Sequence, residues 1–200
     1  VKFQFFLSLV LYNISFNMST SYCLLMLGLL GLLAGCKRAA NVPPVGSGQK
    51  EWIHQDFDDL QRWSGGEYTA SLTQERAHSG QFSLKAGPGV DYSLTFSAPF
   101  DQLSLTKPRK LRVQAWVWVP EETNNTTLVI TAVNSKGVVS WEGIQLANTV
   151  KGYKSWQHLD QKVMMSPQLT SDDVLKLYLW QRNGNDNSLY LDDLIISEEE

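Results

Sequence analysis

Residues 51–200 are predicted to form an all-β domain, a sandwich of two antiparallel sheets, on three observations. Short segments rich in Val, Leu, Ile, Tyr and Trp follow one another at regular spacing, each bounded by Gly, Pro, Asn or Asp clusters. No window after Glu51 carries the 3.6-residue apolar repeat of an amphipathic helix. Several segments alternate strictly, as half-buried strands do: Leu111, Val113, Ala115, Val117 and Val119 point one way, and Arg112, Gln114, Trp116 and Trp118 the other. A folded part of about 150 residues buries roughly 70% of its unfolded surface, so no disulfide or metal is needed merely to fold.

In chain order the predicted strands are residues 51–57, 81–86, 91–97, 110–119, 127–134, 138–146, 156–164, 174–182 and 188–196, nine in all. Gly87-Pro88-Gly89 separates the second from the third. Ser135-Lys136-Gly137 closes a hairpin, and the polar run from Asn183 to Asn187 precedes the last strand. In the eighth strand Leu175, Leu177 and Leu179 should face the core beside Leu128, Ile130 and Ala132, leaving Lys176, Tyr178, Trp180 and Arg182 on the opposite surface. A one-residue slip would reverse that assignment.

The N-terminal part reads differently. Cys23 to Gly35 is an apolar run of the length of a signal-peptide core, short of the roughly 20 residues that span a bilayer. It ends in Leu33-Ala34-Gly35-Cys36, which resembles the lipobox of bacterial lipoprotein signal peptides and implies lipidation of Cys36. Residues 1–36 are thus expected to be a signal peptide, with Met18 a candidate true start and residues 1–17 an apolar extension. Residues 37–50 mix Pro, Gly and Ser without periodicity and read as a flexible linker. Two acyl chains would anchor the protein firmly where one is marginal. Lys37 stands where an Asp commonly marks inner-membrane retention, so the expected location is a bacterial cell envelope, at the outer membrane.

Composition excludes several classes. Lys and Arg total 17 against 20 Asp and Glu, a net charge of −3, which argues against nucleic acid as a partner. Cys23 and Cys36 are the only cysteines, which excludes a disulfide framework or a Cys-ligated zinc in the domain. The histidines 54, 78 and 158 are isolated, and no G-x-S-x-G or H-E-x-x-H motif occurs, so the domain is expected to bind rather than catalyse.

Three stretches together resemble the galactose-binding-like jelly rolls that include several carbohydrate-binding module families. Asp56-Phe57-Asp58 precedes Trp63, the run Ala77-His78-Ser79-Gly80-Gln81-Phe82-Ser83-Leu84-Lys85 follows, and Tyr190-Leu191-Asp192-Asp193-Leu194-Ile195-Ile196 closes the chain after Leu177 to Trp180. The resemblance implies a jelly-roll topology and a glycan or polysaccharide ligand. It also implies a structural calcium held by Asp58, a main-chain carbonyl near Gln81, and Asp192 or Asp193, since a hard cation takes carboxylate and carbonyl oxygens.

Tryptophans at 52, 63, 116, 118, 141, 156 and 180 supply candidate platforms. Sugar rings stack their C–H faces on Trp or Tyr while Arg, Gln, Asn or Asp satisfy the hydroxyls. Tyr178 and Trp180, with Arg182 as polar partner, are the first choice, and Trp141, next to Glu142, a second platform. Trp52, Trp63 and Trp156 sit where the resembling domains use an aromatic for packing. Trp116 and Trp118 face away from the core on what would be the other sheet, where loops could cover them. The reading kept beside glycan binding is a structural lipoprotein whose aromatic face meets a protein partner of the envelope.

Overall fold

The computed structural model describes residues 50–199 except 61, 64–69, 105–108, 183 and 185. The expected signal peptide, Cys36 and the linker up to residue 49 lie outside the described residues. Ten strands are described: β1 (Glu51–Gln55), β2 (Leu72–Thr73), β3 (Ser83–Ala86), β4 (Phe96–Pro99), β5 (Lys110–Trp118), β6 (Thr126–Asn134), β7 (Gly137–Gln145), β8 (Trp156–Met164), β9 (Val174–Gln181) and β10 (Leu189–Glu199).

They form two antiparallel sheets. One runs β2-β3-β10-β5-β8, with β1 also paired to β10, and the other runs β4-β9-β6-β7. Apart from the β2–β3 and β6–β7 pairings, successive strands alternate between the sheets from β3 onward, which is a jelly-roll sandwich. The alternation read from the sequence sets the layers. Leu111, Val113, Ala115 and Val117 of β5, with Val119 just after it, meet Leu175, Leu177 and Leu179 of β9 in one buried core, joined by Leu128, Ile130 and Ala132 of β6. Trp63 is core, edge-on to Phe57 at 5.2 Å and to Phe96 at 5.8 Å, and its indole N–H reaches Gln55 Oε1 at 3.1 Å. Trp52 packs edge-on to Phe100 at 6.0 Å.

β10 departs from simple alternation. Against β5 it pairs Asp192 with Trp116 and then Ile195 with Gln114, so one extra residue is accommodated. Asp193, at φ 47°, takes the left-handed conformation of that bulge. The bulge falls where the neighbouring edge changes hands: β3 pairs with residues 189–191 of β10, and β1 with residues 194–197. Into that gap folds the turn from His78 to Phe82.

Candidate functional site

The outer face of the four-stranded sheet carries the aromatic row. Inward Leu177 and Leu179 alternate with half-buried Tyr178 and Trp180, and Arg182 beyond them is exposed. Tyr92 joins them: its ring lies parallel to Trp180 at 6.5 Å, an interplanar angle of 12°, and tilted to Tyr178 at 6.0 Å. Burial and the neighbouring Tyr92 push the Tyr178 phenol up, so it stays neutral and able to donate. The Arg182 guanidinium carbon is 6.0 Å from the Trp180 ring.

Across β6 stands Trp141 of β7, half exposed and directed over Gly143, where an added Cβ would come within 2.6 Å of the indole Cη2. Between the two rows the floor is Thr127, Val129 and Thr131 of β6, which pair laterally with Trp180, Tyr178 and Lys176 on one side. On the other side they pair with Gln145, Gly143 and Trp141. Val129 points away from the core yet is 0% exposed, because the flanking rings shield it. With strands about 4.8 Å apart, the backbones of β9 and β7 stand about 10 Å from each other, and the aromatic side chains they carry flank a shallow groove over β6. At one end Thr127 Oγ1 donates to Gln145 Oε1 at 3.0 Å, adding polar groups to the rim.

The sequence reading placed Tyr178, Trp180 and Arg182 on the non-core face, offered Trp141 as a second platform, and did not single out Tyr92, which is 61% exposed. Alternation from Leu94, Phe96 and Ala98 puts Tyr92 in the core. The break is at Ser93, whose N–H donates to Leu179 O at 3.0 Å while its Oγ accepts the Leu179 N–H at 2.8 Å. The hydroxyl thus replaces a backbone carbonyl in the ladder, and the chain re-emerges with Tyr92 outward.

The six-stranded sheet has its own covered aromatics. Trp116 is stacked under His78 at 4.1 Å, and Trp118 lies under the Arg76 guanidinium at 4.0 Å. Trp156 meets His78 edge-on at 5.6 Å on this outer face, away from the sandwich interior. The loop between β2 and β3 is the cover.

The three acids expected to hold calcium hold that loop by hydrogen bonds. Asp58 Oδ1 accepts from Gln81 N at 2.9 Å and Phe82 N at 3.1 Å. Asp192 Oδ2 accepts from His78 N at 2.7 Å and Ser79 N at 3.1 Å, and its Oδ1 from Asp193 N at 2.8 Å. Asp193 takes the Ser79 hydroxyl at 2.5 Å and pairs with His78 Nδ1 at 2.6 Å. N–H donors, not carbonyl oxygens, face the carboxylates, and among the described residues no three His, Cys, Asp or Glu side chains converge as a metal site. Calcium requires six to eight oxygens aimed at one point, so the residues in this arrangement do not fit it. Burial beside Asp193 pushes the Asp192 carboxyl up to about 8, against three backbone donors pulling it down.

No family model and no curated protein matches the chain. Among solved structures it is similar to the C-terminal family 22 carbohydrate-binding module of Clostridium thermocellum Xyn10B, at 13% identity and a TM-score of 0.47 over 74% of this chain and 93% of that one. It is also similar to a family 22 xylan-binding domain of Paenibacillus barcinonensis Xyn10C, at 14% identity and a TM-score of 0.48 over 75% of this chain and 95% of that one. At such identities no ligand-contacting residue transfers from them.

Proposed function

We propose that the domain is a non-catalytic carbohydrate-binding module that holds a polysaccharide chain in the groove of its four-stranded sheet. The observation that carries this reading is the row of Tyr92, Tyr178 and Trp180 facing Trp141 across a water-excluding floor. Rings kept at the surface in register cost the fold exposed apolar area, and sugar C–H faces are the ligand chemistry that uses them. An open groove suits an extended chain better than a small enclosed ligand. Arg182, Lys176 and Gln145 at its borders supply donors and acceptors for hydroxyls. The lipobox-like Leu33 to Cys36 adds a lipid tether, so that the module would display its groove from a bacterial envelope.

Affinity electrophoresis and calorimetry against xylan, β-1,4-galactan and a wider plant, algal and bacterial polysaccharide panel test the proposal. Binding to at least one is expected, and Trp180→Ala should weaken it by about 2 kcal/mol or more, roughly thirtyfold. Silence across the whole panel, or unchanged affinity in Trp180→Ala, would overturn it.

A further inference from the structure

A second constellation occupies the outer face of the six-stranded sheet, where β5 ends and β10 begins. A cavity of about 220 Å³ opens there among Arg76, Trp118, Glu121, Lys154, Asn187 and Tyr190. Sites for drug-sized ligands run roughly 300–1,000 Å³, so this one admits a single ring-sized unit rather than a chain.

Its charge arrangement is specific. The Arg76 guanidinium rests over Trp118 at 4.0 Å and beside Tyr190 at 5.7 Å, and the two rings meet edge-on at 5.7 Å. The neighbouring Glu75 is committed elsewhere: it pairs with Lys85 at 2.6 Å and accepts the Tyr190 hydroxyl at 2.7 Å. Arg76 therefore has no ion-pair partner among the described residues, although the rings hold it in place. A guanidinium fixed over an indole keeps its N–H donors for an outside acceptor, and that fork matches an oxyanion.

Lys154 brings a second cation. Its backbone is left-handed at φ 56°, unusual for a residue with a side chain, and its N–H is bonded to Val119 O at 2.8 Å. That bond fastens the β7–β8 loop to the end of β5 and sets Lys154 at the cavity wall. On the remaining side Asn187 Nδ2 donates to Glu121 Oε1 at 3.0 Å, a polar pair with spare donor and acceptor capacity for hydroxyls.

We propose that this cavity is a second ligand site, for an anionic sugar unit whose carboxylate or sulfate sits between Arg76 and Lys154 and whose hydroxyls meet Glu121 and Asn187. It lies on the opposite sheet from the groove and does not rest on the groove's function. Polymers carrying uronate or sulfate ester groups supply such a unit.

Calorimetric titration of the full chain with digalacturonate, with a sulfated galactobiose and with neutral galactobiose tests the site. One or both acidic probes should bind, which also tells carboxylate from sulfate, and the neutral one should not. Loss of a charge-assisted hydrogen bond corresponds to about a ten- to hundredfold weakening, expected for both Arg76→Gln and Lys154→Gln at these exposed positions. Affinity should fall as salt rises from about 20 to about 300 mM. Trp180→Ala should leave this binding intact while weakening the polysaccharide's, so the two sites fail separately. Absence of acidic-probe binding, equal binding of the neutral probe, or unchanged affinity in Arg76→Gln overturns the proposal.

Discussion

At Gly80, an exposed position, a single methyl group should nevertheless destabilise the fold. At φ 56° an alanine pays about 1–2 kcal/mol for the left-handed backbone. Its Cβ would also fall 1.9 Å from Asp58 Oδ2, so the carboxylate must leave. Asp58 then gives up the Gln81 and Phe82 N–H groups. Because Asp58 and both donors regain water, each lost bond is worth about 0.5–1.5 kcal/mol rather than the larger figure for buried charge. The stiffer unfolded chain of Gly80→Ala returns about 0.4–1 kcal/mol. The net expectation is about 2–4 kcal/mol, or about 4–16 °C in melting temperature for a domain of this size. Calorimetric or urea unfolding measures it, and a double-mutant cycle isolates the cause. In an Asp58→Ala background the same glycine change should cost only the backbone part, giving a coupling of at least about 1 kcal/mol. Additive effects, or a Gly80→Ala protein within about 0.5 kcal/mol of wild type, would refute this account of the turn. Because the loop that precedes the turn also carries His78 and Arg76 onto Trp116 and Trp118, acidic-sugar binding should weaken in Gly80→Ala while groove binding is retained.

Further outcomes follow from other parts of the molecule. The Asp192 carboxyl, raised to about 8 from 3.8 unfolded, lets the folded form bind a proton that the unfolded chain has released. That stabilisation is complete below about pH 4 and is lost as pH rises through about 8, so urea midpoints should fall between about pH 5 and 8, and Asp192→Asn should flatten the slope. A wild-type midpoint that rises over this range would contradict it. Since backbone N–H groups satisfy Asp58 and Asp192, and the Ser79 hydroxyl and His78 ring satisfy Asp193, a chelator should leave the melting temperature unchanged; saturating calcium would otherwise have contributed about 3 kcal/mol. Leu177→Ala, which empties a fully buried site between the sheets, should cost about 2–5 kcal/mol in equilibrium unfolding. Tyr92→Ala should weaken polysaccharide binding with little loss of stability, because that ring is mostly exposed; a large drop in melting temperature would assign it to packing instead.

Much of the fold was legible because burial follows a two-residue period in β5 and β9, and the faces assigned there and in β6, which is buried on both sides, hold in the structure. β8 matches its expected bounds, and the other predicted strands overlap observed ones, with ends shifted by a few residues at β1, β3 and β10, while β4 shares only Phe96 and Ser97 with the strand expected over residues 91–97. β2, two residues long, carries no periodic signal and was not foreseen. The larger gaps are local departures from period two. Ser93 substitutes a hydroxyl for a carbonyl and turns Tyr92 outward, and Asp193 inserts a bulge that brings two successive carboxylates to one side. Neither depends on a neighbouring residue's hydrophobicity, so pattern alone could not reveal them. Trp116 and Trp118 were read as outward, which holds, but their cover of His78 and Arg76 comes from a loop about 40 residues earlier, a long-range contact without a local signature.

The place of β10 governs how this chain can be assembled. It pairs with β1, β3 and β5, all of which precede it by many residues, and it is the only described element that joins the first strands to the centre of their sheet. Until β10 has emerged from the ribosome, β1 has no ladder to enter and the bulge has no turn to grip. The nascent chain should stay open until β10 emerges and condense only then, with slow kinetics typical of widely separated pairings. A truncation that spares the groove yet removes β10 should therefore leave a polypeptide that never closes.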